Sequence, residues 1–270
     1  MFLRWAGSKR QLRHEMEACW RMANPAPRAR YFEAFMGSAS LFFHLSPLRA
    51  ILSDSNARLI ECFEQVRSAP EMVALHLSGL RNSATEYYAV RAQDESLLDA
   101  SARAARFIYL NRYCFNGLYR TNKSGKFNVP YGGGRTGALP QLSDLLAASG
   151  QLAQGKFVCG DFEAVVRGQA RSGDFVYLDP PYAKQNCSLD MQYGPDNFGM
   201  KDLCRLTVLL RHLDAMGASF LVSYADCAEA REYLGEWSAR QVTVRRSIAA
   251  KTQARSKTGE LLISNVMGWS

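Results

Sequence analysis

Asp174-Phe-Val-Tyr-Leu-Asp-Pro-Pro-Tyr182 is a short apolar run closed by an acid and a stiff turn. A continuous apolar run bounded by turn signals fits a strand buried on both faces, as in a parallel sheet. Similar runs lie at 30–35 (Arg-Tyr-Phe-Glu-Ala-Phe), 50–54 (Ala-Ile-Leu-Ser-Asp), 156–161 and 218–224. Two further strands are expected at 241–245 and 261–265. Between them, Met200 to Met216 carries Leu203, Leu206, Leu210 and Leu213 on one helical face. Strands alternating with helices predict a doubly wound α/β domain.

The stretch from 57 to 145 breaks the alternation. It reads as helices at Asn56–Gln65, Pro70–Leu80, Thr85–Gln93 and Leu97–Tyr113, then a Gly/Asn/Lys-rich loop from Asn116 to Gly137. The expected organisation is one domain made of residues 1–56 and 146–270, interrupted by a mostly helical insertion at 57–145.

The chain has 270 residues, a net charge of +8, 47% hydrophobic and 21% charged residues. That composition excludes a disordered chain. No apolar run approaches the ~18–20 residues that span a bilayer, so no membrane partner is expected. The first ten residues hold no apolar core of a signal peptide. Seven widely spaced cysteines with no C-x-x-C pair argue for a reducing compartment, the cytoplasm. His14, His44, His76 and His212 show no ligand spacing, so no metal is expected.

The basic charge is concentrated. Residues 1–30 carry seven basic and two acidic side chains, 100–143 seven basic and none acidic, and 245–257 five basic and none acidic. Such confinement fits a polyanion footprint, though solvated basic faces would look the same.

Three features point to a nucleotide-like ligand. The first expected strand runs into Glu33-Ala-Phe-Met-Gly-Ser-Ala-Ser40, whose small residues let a ligand approach the backbone. Asp54 ends the next strand, where nucleoside folds place an acid on ribose hydroxyls; a capping acid is the plain alternative. The turn after the first strand carries no dinucleotide or phosphate-loop fingerprint, which argues against NAD and ATP. Asp179-Pro-Pro-Tyr182 then fixes a carboxylate, the Pro180 carbonyl and an aromatic ring in one relation, stiffened by Pro181. Two acceptors suit an amine, and a ring suits the flat base that carries it.

With these blocks in place, the sequence resembles the Dam-type family of DNA adenine methyltransferases from residue 2 to about 265. Phe2-Leu-Arg-Trp-Ala-Gly-Ser-Lys9 is similar to the family's N-terminal block, and Glu33 to Ser38 to its glycine loop. Asn111-Arg-Tyr-Cys-Phe-Asn-Gly-Leu-Tyr-Arg120 with Gly125-Lys-Phe-Asn-Val-Pro-Tyr-Gly132 resembles its target-recognition block. Val244-Arg-Arg-Ser-Ile248 and Glu260-Leu-Leu resemble its final hairpin.

The resemblance implies a Rossmann-like methyltransferase sheet with an inserted DNA-recognition lobe. It implies S-adenosylmethionine as cofactor, held by Trp5, Lys9, Glu33, Phe35, Gly37, Ser38, Asp54, Asp161, Phe162 and Asp179. Asp179, Pro180, Pro181 and Tyr182 would be the catalytic turn. Double-stranded DNA would meet Arg4, Arg112, Phe115, Asn116, Leu118, Arg120, Asn122, Lys126, Asn128 and Pro130, and a basic loop with Arg246, Lys251, Arg255 and Lys257. The expected target is adenine in G-A-T-C, flipped out of the duplex, with the protein a monomer needing no protein partner. Two departures stand out: Ala39 replaces a frequent second glycine, and Phe115 a frequent tyrosine. Methylation of cytosine or of another sequence, or a non-catalytic DNA-binding relative, are the alternatives.

Overall fold

A computed structural model describes residues 1–133, 136–182, 198–245 and 257–269. Seven strands are present among them: β1 (Tyr31–Glu33), β2 (Ala50–Asp54), β3 (Gly155–Cys159), β4 (Phe175–Leu178), β5 (Ser219–Ala225), β6 (Ser238–Arg245) and β7 (Lys257–Ser264). The α-helices are α1 (Arg13–Ala23), α2 (Ser40–Leu45), α3 (Ala57–Ser68), α4 (Pro70–Leu77), α5 (Ala84–Ala92), α6 (Ala100–Tyr113), α7 (Leu142–Leu152), α8 (Phe162–Gln169), α9 (Met200–Ala215) and α10 (Ala228–Leu234). No helix among the described residues is long and apolar enough to cross a membrane.

These elements form two compact units, one of residues 1–8 and 56–159, the other of 9–55, 160–182 and 198–269. The sequence reading divides the chain at 56/57 and 145/146. In the structure, residues 1–8, α7 and β3 group with the helical unit. The reason is packing: α7 lies on α3 and α4, and β3 on α3.

The sheet unit holds six strands in the order β2-β1-β4-β5-β7-β6. β1 pairs in parallel with β2 (Phe32 opposite Ile51) and with β4 (Phe32 opposite Val176), and β4 in parallel with β5. β7 runs antiparallel between β5 and β6. β1 and β4 are buried along their whole length, as continuous apolar runs require. The path β1–α2–β2 moves one way along the sheet and β4–α9–β5 the other. Right-handed crossovers therefore put α2 and α9 on opposite faces, which is the doubly wound, Rossmann-like arrangement. The order reverses between β1 and β4, so ligands belong at the carboxyl ends of these two strands.

In the helical unit, sequence-encoded caps start the helices. Asn56 Oδ1 accepts from the backbone N–H groups of Arg58 and Leu59 to open α3. Ser83 and Asp99 cap α5 and α6 in the same way, and Pro70 occupies the first turn of α4. Phe2 is buried in this unit, its ring 4.9 Å from that of Phe63, which anchors the N-terminal segment.

Candidate active site

The turn after β4 carries the chemistry. Lys9 Nζ donates to Asp179 Oδ1 at 2.6 Å and lies 3.3 Å from Glu260 Oε1. Ser223 Oγ, on β5, donates to the same Asp179 oxygen at 2.9 Å and itself lies 3.2 Å from the Tyr177 hydroxyl. Tyr182 Oη donates to Glu260 Oε1 at 3.0 Å. Its ring packs against Tyr224 at 5.1 Å, with the Lys9 ammonium 5.4 Å from the Tyr182 ring centre. Lys9 and Glu260 are 8% and 6% exposed at the side chain, Asp179 19%. One Asp179 oxygen is thus clamped by two donors, which leaves Oδ2 for a ligand.

Electrostatics follow from this burial. Burial is the largest single effect and works against the Lys9 charge, but Asp179, Tyr182, Glu260 and Tyr177 together outweigh it and hold the ammonium well above its usual range. Burial pushes the Glu260 carboxyl up; Lys9 pulls it back and Asp179 adds to the rise. The Tyr182 phenol is raised by burial and stays neutral. Ser223 and Glu260 were not foreseen from the sequence as site residues.

The glycine loop sits beside this turn on β1. Gly37 N–H donates to Asp54 Oδ2 at 3.1 Å, tying the loop to the end of β2. Gly37 and Ala39 both take left-handed backbone, φ +46° and +50°. Ala39 is buried in a conformation that glycine adopts more readily. Ser38 is buried. Glu33 is buried beneath the loop: its Oε2 accepts from Tyr31 Oη at 2.8 Å and from the Phe42 N–H, in the first turn of α2, at 3.0 Å. Burial pushes its carboxyl up to about 8, against the pull of those hydrogen bonds.

Phe35, Phe162 and Phe198 form a cluster of rings with centroids 5.1–6.1 Å apart. Asp161 Oδ1 caps α8 by accepting from the Glu163 and Ala164 N–H groups. Arg205 pairs with Asp161 at 2.5 Å, with Glu163 at 2.8 Å and with Asp202 at 3.0 Å, and lies over the Phe162 ring. Phe198 and Arg205 are additions to the residues the sequence marks.

In the helical unit the recognition block forms a tight hairpin-like loop after α6. The bridges Cys114–Tyr131 and Thr121–Phe127 close it, and Asn122 Oδ1 accepts from Ser124 and Lys126 within its tip. Phe115 is 41% exposed and stands two residues past the end of α6; its N–H donates to the Pro130 carbonyl. Asn116 takes φ +55°. Arg4 is held here by its N–H on Asn111 Oδ1 at 2.8 Å. A Cβ on Gly117 would fall 2.6 Å from the Arg4 carbonyl oxygen, so only glycine allows this approach. Arg120 Nε donates to Asn128 Oδ1 at 2.9 Å, and the Arg112 guanidinium donates to the Ala138 carbonyl. Leu118, Lys126 and Pro130 complete the loop, with Lys126 and Pro130 exposed. Trp5 belongs to this unit, stacked on Phe107 and Tyr119.

Arg246, Lys251 and Arg255 lie outside the described residues, and Lys257 begins β7. The structure also brings together what histidine spacing did not reveal: His14, Glu17 and His44 offer ligand atoms within 4.8 Å of one another. Glu17 there is already paired with His44 at 2.7 Å and Arg21 at 2.5 Å.

A clamped acid, a stiff Pro-Pro turn and a glycine loop thus lie at the switch point of the sheet, where open α/β folds bind their ligands. The family profile described as D12 class N6 adenine-specific DNA methyltransferase matches residues 5–248, and the chain belongs to that family. The type II methyltransferase M1.LlaDCHI of Lactococcus lactis subsp. cremoris is 33% identical over 98% of this chain and 94% of that protein. The type II methyltransferase M.MjaIII of Methanocaldococcus jannaschii is 33% identical over 98% of both. A DNA adenine methylase of Escherichia coli K12 is 31% identical over 97% of this chain and 93% of that one. Among solved structures, a precorrin-6y C5,15-methyltransferase of Geobacter metallireducens aligns with 98% of this chain at 10% identity and a TM-score of 0.37, covering 94% of that chain. The reaction is adenine-specific DNA methylation.

Proposed function

We propose that the protein transfers a methyl group from S-adenosylmethionine to the N6 amine of adenine in G-A-T-C of double-stranded DNA, with the target base flipped. The observation that carries the chemistry is the clamp on Asp179 Oδ1 by Lys9 and Ser223. The amine of adenine is a poor nucleophile because its lone pair is delocalised into the ring. A fixed Oδ2 and the Pro180 carbonyl accept its two hydrogens and turn the lone pair toward the methyl donor. Tyr182, immobilised by Glu260, stacks on the base. The gain is positional, since both acceptors are set before the base arrives. A target inside a duplex is out of reach, so the base leaves the stack.

The residues present fit the cofactor. A carboxylate-rich, partly buried site suits a cation, and the cluster of Phe35, Phe162 and Phe198 suits a flat adenine. Asp54 and the Gly37–Ser38 loop would hold its ribose and amino-acid portions, with Lys9 and Asp161 completing the contacts. When bound, the group supplies a methyl on positively charged sulfur.

For the target sequence, the reading rests on the recognition block of residues 111–132. Arg120 pairs with a guanine edge, Phe115 fills the space a flipped base leaves, and Arg4, Leu118 and Pro130 read neighbouring edges. Arg246, Lys251, Arg255 and Lys257 supply charge to the phosphates. The enzyme works as a cytoplasmic monomer. Nucleases that distinguish methylated from unmethylated G-A-T-C, applied to DNA from expressing cells, test this. Protection against the methylation-blocked nuclease is expected, and full cleavage by it overturns the target assignment.

A further inference from the structure

The edge of the sheet brings two carboxylates onto one ammonium. Asp179 lies 2.6 Å and Glu260 3.3 Å from Lys9 Nζ, and no other cationic side chain among the described residues forms an ion pair with either acid. Glu260 stands on β7, where its neighbours across the sheet are Ala225 and Val242, both uncharged. The groups that face it are Lys9, Asp179 and the neutral Tyr182 phenol. With both acids ionised, the site carries one more negative than positive charge. Excess charge of this kind is costly at low exposure. Only Asp179 is needed for the amine, and Glu260 does not belong to the Asp-Pro-Pro-Tyr turn.

We infer that Glu260 is the counter-charge for a cationic methyl donor, so that the site favours the charged donor over its neutral demethylated product. The inference rests on S-adenosylmethionine being the cofactor. Two carboxylates, one ammonium and one sulfonium are neutral together. Methyl transfer breaks the carbon–sulfur bond, and the electron pair stays on sulfur and cancels its charge. The new carbon–nitrogen bond leaves N6 with a surplus proton, which passes to the carboxylate pair. The site is again neutral, now with a thioether and one protonated acid. Loss of the donor's charge thereby weakens the hold on the product. The raised Glu260 carboxyl agrees with a pair over-charged before a cation arrives.

The test compares three ligands on the purified full chain by equilibrium binding. S-adenosylmethionine carries a sulfonium, sinefungin a cationic amine at the same position, and S-adenosylhomocysteine a neutral thioether. Glu260→Gln keeps the shape and can still accept from Tyr182. It should weaken binding of the two cations by at least about tenfold, since one charge pair at an effective dielectric of about 20 gives about tenfold at roughly 12 Å and about a thousandfold at roughly 4 Å, and of the thioether by less than about twofold. The wild-type ratio of sulfonium to thioether affinity should rise with pH above the ordinary carboxylate range, as the raised Glu260 carboxyl deprotonates. In Glu260→Gln it should be flat, and Glu260→Asp should keep part of the slope. Equal losses for all three ligands, or a pH-independent wild-type ratio, overturn the inference; the second readout needs no variant to fold. If the wild type binds none of the three, the cofactor reading itself fails.

Discussion

Replacing Lys9 with methionine keeps a similar volume but leaves Asp179 and Glu260 facing each other without the ammonium between them. Removing one partner of a buried ion pair costs about 3–5 kcal/mol, because the remaining charge is desolvated and unpaired. Here the cost depends on pH. Burial already raises the Glu260 carboxyl, and Lys9 is what restrains it. Without Lys9 the folded-state value rises further above the unfolded one. A raised carboxyl contributes stability that is present below the unfolded value, ~4.3, and is lost as pH climbs through the folded value. The deficit of Lys9→Met should therefore be smallest near the unfolded carboxyl value and grow as pH rises above it, by up to ~1.4 kcal/mol per unit for one proton. Melting temperatures measured by calorimetry between pH 5 and pH 8 should separate from wild type by roughly 6–20 °C at pH 8, at ~2–4 °C per kcal/mol. Adding Glu260→Gln should recover part of the loss, since only Asp179 then remains charged. A pH-independent difference, or one under about 1 kcal/mol at pH 8, would refute the picture of an over-charged carboxylate pair.

Other outcomes follow from the same reasoning. Ala39→Gly should stabilise the fold by roughly 0.5–1 kcal/mol: relief of a left-handed alanine, about 1–2 kcal/mol, exceeds the added chain entropy of glycine. Denaturant titration checks it. Arg120→Ala should cost about 1–3 kcal/mol at one guanine of the site and relax discrimination there; binding that falls equally on all sequences would make Arg120 a phosphate contact. Neutralising Lys251, Arg255 and Lys257 together should flatten the slope of log K against log salt by roughly two to three, at ~0.9 per phosphate contact. An unchanged slope removes that segment from the binding surface.

The strands were legible because parallel strands buried on both faces are unbroken apolar runs. Residues 50–54, for instance, were assigned their exact bounds. The helices of the insertion were legible in outline, with one opening at Pro70 as expected, while Asp99, which caps α6, fell inside the expected helix Leu97–Tyr113. α1 was not, since it begins after a 3-10 turn with no side-chain cap and buries only Met16 and Cys19. α8 was hidden by its brevity and because Asp161, its cap, was read as a ligand alone. Asp179 and Tyr182 stood out because their turn is local in sequence. Glu260 did not, because antiparallel β7 brings it from the far end of the chain to Tyr182. Its signals were the Glu260-Leu-Leu block that resembles the family's final hairpin and its place directly before the apolar run Leu261-Leu-Ile263; neither ties it to Tyr182, and the expected strand started one residue too late to include it. Ser223 sat inside the expected β5, where a lone hydroxyl in an apolar strand was the available clue.

The central claim is methyl transfer to adenine at Asp179, and nucleoside mass spectrometry tests it directly. A G-A-T-C duplex incubated with purified protein and S-adenosylmethionine would be digested to nucleosides, alongside a duplex of permuted sequence and the Asp179→Ala variant. Asp179→Ala leaves Lys9 paired with Glu260, so its melting temperature should stay near that of the wild type. The account predicts N6-methyldeoxyadenosine from the wild type on G-A-T-C alone, and none from the variant. Methyl on cytosine, or transfer by Asp179→Ala within tenfold of wild type, would contradict it.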